Sequence, residues 1–154
     1  MQTIPEFLAT HPFTEGLSHE HLELIAGCAQ NVGFREGDYV FREGDPADTF
    51  YVIRDGRVGL EVFAPGRGAV TIQTVRTGEI LGWSWLFPPY KTSFDARVIE
   101  PTRMVAFDGA CLRGKAEQDH ELGYQLMKRM AQVFTGRLTA TRLQLLDVYG
   151  HAGA

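Results

Sequence analysis

The chain has 154 residues, 44% of them apolar and 22% charged, with a formal net charge of −4. That is one domain's length and enough for a full core. The acidic balance argues against a broad surface for nucleic acid or anionic membrane, and no apolar run approaches the roughly 20 residues of a membrane span.

The N-terminus, MQTIPEFLATHPF, lacks the basic head and long apolar stretch of a signal peptide. Ser18 is a good N-cap, Glu20 puts acid in the first turn, and Leu22, Ile25, Ala26 and Ala29 recur at helical spacing. The helix they predict ends near Gln30 to Gly33. Cys28 and Cys111 are the only cysteines. A disulfide framework needs more, so they read as reduced core thiols of a cytoplasmic protein.

The period then changes. Tyr39–Phe41, Thr49–Ile53, Arg57–Phe63, Val70–Val75, Phe94–Ile99 and Arg103–Phe107 are short, partly alternating runs stopped by Gly, Asp and Pro. Seventeen glycines fit a turn-rich β body. Closely spaced short strands predict a sandwich, barrel or jelly roll, here with eight antiparallel strands. Asp55-Gly56 is a specific turn signal.

From Asp108 the period is helical again. Asp108 caps a short helix through Cys111 and Leu112, and Asp119 caps a long one. On the long helix Met127, Ala131, Phe134, Leu138, Thr141, Leu145 and Val148 fall at steps of four and three, a seam of about three heptads. Gly136 lies off that seam and weakens the helix by roughly 1 kcal/mol relative to Ala. The seam is expected to pair with a second copy, or else to pack on its own barrel.

Between Gly78 and Arg97 runs GEILGWSWLFPPYKTSFDAR: strand, Gly turn, one helical turn, Pro-rich loop, strand. This frame would let a backbone approach an anion at Gly82. The order Phe13-x-x-x-Leu17-Ser18, Phe34-x-x-Gly37-x-x-x-Phe41-x-x-Gly44-Asp45-x-Ala47-Asp48, Phe50-Tyr51-x-Ile53-x-x-Gly56-x-Val58 and Gly78-Glu79-x-x-Gly82 resembles the cyclic nucleotide-binding domain, the sensor of catabolite-activator-type regulators and of protein kinase A regulatory subunits. The resemblance covers nearly the whole chain. It implies one domain over 1–154: an N-terminal helical segment (1–31), an antiparallel jelly roll (32–107) with its cassette at 78–97, and C-terminal helices (108–148).

In the family an acid after the cassette Gly holds the ribose hydroxyl, and an arginine at the loop's end pairs with the cyclic phosphate. Here those positions are Trp83 and Thr92, with Lys91 and Ser93 alongside. Two lost charged hydrogen bonds, each contributing roughly 1.5–3 kcal/mol, predict weak binding of a cyclic nucleotide such as cyclic AMP, or of another small anion. The candidate ligand-binding residues are Gly82, Trp83, Ser84, Trp85, Lys91, Thr92 and Ser93. Trp83 and Trp85 read equally well as core filling or as an aromatic wall. Arg97 reads better as the solvated face of a strand than as a displaced phosphate partner.

No catalytic motif is present, so no catalysis, cofactor or metal is expected. His19 and His21 do not share a helix face, and no His or Cys lies within the cassette to ligate a haem. The expected module is regulatory, cytoplasmic, dimeric through its C-terminal helix, and signals to a protein partner without binding nucleic acid or membrane. The alternatives are a degenerate, non-binding dimerisation module and the sensor fragment of a transcription regulator. Met1 and the length favour a complete, stand-alone protein.

Overall fold

The computed structural model describes residues 2–152, with the side chains of 144 and 147–152 outside the description. Helix α1 (Ile4–Ala9) is closed by a reciprocal capping box. Thr3 Oγ1 accepts from the Glu6 N–H at 3.3 Å, and the Glu6 carboxylate accepts from the Thr3 N–H at 3.1 Å. This helix goes unanticipated, although Thr3-x-x-Glu6 carries its signal. Helix α2 (His19–Ala26) starts at the expected cap, where Ser18 Oγ accepts from the His21 N–H at 3.1 Å. It ends earlier than predicted, because Ala29 and Gln30 already belong to β1 (Ala29–Phe34), paired to Phe107 and Ala106. A long antiparallel ladder outcompetes one more helical turn.

The remaining strands are β2 (Tyr39–Phe41), β3 (Thr49–Ala64), β4 (Gly68–Arg76), β5 (Ile80–Leu81) and β6 (Asp95–Asp108). All described pairings are antiparallel, in the order β1-β6-β3-β4 with β2 on β6 and β5 on β3. The described sheet has six strands rather than eight. Thr49–Ile53 and Arg57–Phe63 fuse into β3, and the two C-terminal runs fuse into β6. The Asp55-Gly56 signal marks a bend inside a strand. Register shifts at Ile53, Asp55 and Arg57 preserve the β3–β6 ladder through it.

Gly56 sits there at φ 130°, and a Cβ on it would lie 2.2 Å from Thr102 Oγ1. Buried Thr102 accepts from the Arg57 N–H at 3.2 Å and donates to the Glu100 carbonyl at 2.7 Å. The bend also re-aims side chains, as bulges do. Phe50 and Val52 face the helices, while Ile53, Val58 and Leu60 face the barrel interior.

Helix α3 (Gly109–Gln118) starts at Asp108, whose Oδ1 accepts from the Cys111 N–H at 3.0 Å. Helix α4 (His120–Ala152) starts at Asp119, whose Oδ1 accepts from the Leu122 N–H at 3.1 Å. Both caps match expectation. The stripe that α4 buries is Leu122, Leu126 and Met130, not the heptad seam. Met127, Leu138 and Leu145 are 44%, 55% and 52% exposed, Ala131 and Thr141 are exposed, and Phe134 is half-buried. Val148 lies outside the described side chains.

Cys28 and Cys111 form a disulfide with Cα atoms 5.8 Å apart. This corrects their reading as reduced thiols. Pairing of Ala29 with Phe107 sets Cys28 beside Asp108, whose N–H donates to the Cys28 carbonyl at 2.9 Å. The first turn of α3 then carries Cys111 back over it. The two lie 83 residues apart, so the pairing follows from strand register and not from spacing.

Candidate functional site

The cassette is hung from β3. Leu81 pairs with Tyr51 and Ile80 with Val52, while the Gly78 N–H donates to the Ile53 carbonyl at 2.7 Å. Gly82 turns the chain at φ 92°, and a Cβ there would meet the Thr49 carbonyl at 3.4 Å. Both the left-handed backbone and the close approach call for glycine. A single 3₁₀ turn follows at Ser84–Leu86, as the sequence predicts. The loop closes on the segment before β3. The Ala47 N–H donates to the Tyr90 carbonyl at 2.7 Å, the Thr92 N–H to Asp45 at 3.0 Å, and the Gly44 N–H to Thr92 at 2.9 Å.

Inside this frame the space is nearly gone. The cavity bounded by Phe41, Thr49, Trp83, Thr92, Ser93 and Phe94 measures about 10 Å³. That is room for about one water molecule, against roughly 300 Å³ for a small ligand pocket. Among the described residues, none of those lining it carries a charge. Trp83 occupies the space: its ring lies 5.2 Å from Phe94 and 6.1 Å from Phe134 of α4. Arg137 of α4 stacks its guanidinium 5.3 Å from the same indole. Burial lowers the Arg137 pKa from its ordinary value and nearby Glu79 pulls it back up; a guanidinium so placed stays cationic.

The other candidate residues separate. Thr92 spends its hydroxyl on the Arg42 carbonyl at 2.6 Å. Ser84 and Ser93 line the cavity, and Gly82 forms its floor. Lys91 is exposed, its backbone bridged to Pro46, and it does not line the cavity. Trp85 does not line it either. Its ring stacks 5.1 Å from Phe50, which stacks 4.6 Å from Phe107. Arg113 donates to the Trp85 carbonyl. Trp85 fills core, while Trp83 packs against both core clusters and also lines the cassette cavity. Arg97 is exposed, 5.9 Å from the Tyr39 ring, and does not line the cassette cavity. Phe134 and Arg137, which close the site from α4, carry no local signal of that role; only the tertiary fold brings them to Trp83.

A jelly roll carrying a Gly-turned cassette and flanked by N- and C-terminal helices is the architecture of a cyclic nucleotide-binding-type domain. Residues 31–119 match the Cyclic nucleotide-binding domain family, and the chain belongs to that family. Among curated proteins it is 27% identical over 143 residues to the CRP-like cAMP-activated global transcriptional regulator of Mycobacterium tuberculosis, covering 93% of this chain and 62% of that protein. The chain thus spans under two thirds of that relative's length. Among solved structures it resembles a candidate cyclic nucleotide-binding protein from Geobacter metallireducens GS-15, with TM-score 0.79, 33% identity, and coverage of 89% of this chain and 99% of that one. A cyclic nucleotide-binding domain from Methylobacillus flagellatus KT gives TM-score 0.80 at 22% identity, covering 94% and 81%, which speaks for the fold alone. No described helix is long and apolar enough to cross a membrane.

Proposed function

We propose that this chain is a regulatory, non-catalytic sensor module whose cassette holds ordinary cyclic nucleotides weakly. The observation that carries this reading is the filled cassette: the Gly82 turn and 3₁₀ frame are intact, yet only about 10 Å³ remains beside Trp83. Losing two charged contacts weakens binding by roughly 3–6 kcal/mol, about two to four decades in Kd. The ligand is then a cyclic nucleotide in a changed pose or another small anion, held by Gly82, Trp83, Ser84 and Ser93 with Thr92 and Lys91 at the rim. Trp83 passes its position to α4 through Phe134 and Arg137, and α4 is the output toward a protein partner. In this reading the module pairs through the exposed α4 seam and binds neither DNA nor membrane; the Cys28–Cys111 bond removes the reduced-thiol argument for a cytoplasmic location.

Calorimetry against cyclic AMP and cyclic GMP tests it. The expected dissociation constant is weaker than about 100 μM. Tight binding by the unmodified chain would overturn the reading of an altered site. The near absence of free volume also favours a second reading, a non-binding jelly roll that serves as a dimerisation module. Binding of any magnitude that shifts Trp83 fluorescence and is lost in Ser93→Trp counts against that second reading.

A further inference from the structure

A groove of about 480 Å³ runs between α4, the 3₁₀ turn at Pro12–Thr14 and the Gly78–Ile80 segment. Arg137 lines it and also contacts Trp83 of the filled cassette, but none of residues 82–93 lines it. Its size falls within the roughly 300–1,000 Å³ of small-molecule sites. Phe13, Ile80 and Val133 supply apolar wall, and Arg129, Arg137 and Glu79 supply charge.

The charge is unbalanced. His11 also lines the groove, but both its ring nitrogens are used: one accepts from the Phe13 N–H at 3.0 Å, and the other meets the Gly78 carbonyl at 2.7 Å. That arrangement needs the neutral ring. Two arginines against one glutamate leave a net charge of one positive. Neither arginine is in a described salt bridge. Arg137 donates to the Ile80 carbonyl and to Gln73 Oε1, and Arg129 to Gln125 and to the Glu15 carbonyl. A guanidinium has five N–H donors, so each keeps some to offer.

Gly136 is the second observation. It lies mid-way along α4, where glycine costs roughly 1 kcal/mol relative to Ala. No neighbour requires it there, since a Cβ at Gly136 would meet nothing within 4 Å. Its missing side chain instead bares the groove wall. We propose that this groove is a second ligand site, separate from the cassette, for a small organic monoanion with an apolar body, of the carboxylate class. The carboxylate takes the free donors of Arg129 and Arg137, as arginine forks favour. The body lies on Phe13, Ile80 and Val133. Because Arg137 also covers the Trp83 indole, occupancy of the groove is felt at the cassette.

The test is calorimetry of the full chain with 1-naphthoate, indole-3-acetate and octanoate, beside the neutral 1-naphthalenemethanol. At least one acid is expected to bind with a submillimolar dissociation constant, and the neutral alcohol at least about tenfold more weakly than 1-naphthoate. Gly136→Leu should abolish binding while melting no lower than the wild type, since it fills open space and improves helix propensity. Arg129→Gln should weaken binding several-fold without loss of fold. Silence from all three acids, equal affinity for the alcohol, or unchanged affinity in Gly136→Leu would each overturn the proposal. Cyclic AMP titration of cassette variants reads the other site, so failure at one is not mistaken for failure at the other.

Discussion

The guanidinium of Arg137 lies 5.3 Å from the centroid of the Trp83 ring, 54 positions away along the sequence. One partner directly follows the cassette glycine, Gly82, and the other rides on the long helix. The pair closes the cassette and ties it to α4 in one contact. A desolvated cation–π pair is worth about 2 kcal/mol, enough to bias the position of a side chain.

Replacing Trp83 with Glu and Thr92 with Arg should restore both charged contacts and remove the wedge. The double variant is expected to gain at least about tenfold in affinity for cyclic AMP, with less from either single change. Thr92→Arg alone should gain least, because it also gives up the hydroxyl bond to the Arg42 carbonyl. Calorimetry checks this. No gain in the double variant would favour the non-binding module.

The exposed seam predicts association. Leu138 and Leu145 are more than half exposed and Met127 nearly so, and burying such side chains contributes roughly 1.5–3 kcal/mol each. Light scattering at tens of micromolar is expected to give twice the chain mass, and Leu138→Lys the chain mass. A monomeric wild type at that concentration would rule the dimer out.

Acid should destabilise the fold through His11. Burial lowers its pKa below the ordinary 6.5, partly offset by the Gly78 carbonyl. The unfolded chain therefore takes up the proton first. The contribution of His11 is intact above about pH 6.5 and is lost as pH falls through the lower folded value. His11→Asn keeps an acceptor for the Phe13 N–H in an Asx-type turn but does not titrate. Melting temperatures from about pH 7.5 to 5.5 should fall more steeply for the wild type than for the variant.

Reduction should also destabilise it. The disulfide spans 83 residues, and closing a loop of that size in the unfolded chain is worth roughly 4–5 kcal/mol at most. Dithiothreitol should lower the melting temperature by on the order of 10 °C, and Cys28→Ser should melt like the reduced wild type under either condition. Identical melting of the wild type with and without reductant would mean the bond does not form in solution.

Gly56→Ala tests the bend in β3. The new methyl would meet Thr102 backbone at 2.7 Å, at a φ that L-residues rarely adopt. A loss of at least about 2 kcal/mol in chemical denaturation is expected.

Local signals were legible and long-range ones were not. Ser18, Asp108 and Asp119 start helices where their side chains predict, because a cap is decided within four residues. Gly82 turns the cassette for the same local reason. The fusion of short runs into β3 and β6 was hidden, since Asp55-Gly56 signals a turn whether the ladder breaks or merely bulges. The heptad seam was visible, but the stripe that packs on the barrel, Leu122, Leu126 and Met130, is set by where α3 aims the helix. The disulfide and the Trp83–Arg137 contact depend on register and docking, which spacing along a chain does not encode.

Helix α3 is fastened at three places. Cys111 is bonded to Cys28, Lys115 donates to the Leu24 carbonyl at 2.6 Å, and Arg113 donates to the Trp85 carbonyl. Two of these anchors hold the N-terminal helical segment and the third holds the cassette turn. A cassette that opened to admit a larger guest would have to carry the Trp85 carbonyl with it. Either it would give up a charged hydrogen bond worth roughly 1.5–3 kcal/mol, or it would swing α3 about its covalent pivot at Cys28. The cross-link is thus placed to act as a fulcrum: with it intact, any travel of the cassette would have to become rotation of α3 and of the long helix that follows, and with it cut the same travel would be absorbed as slack.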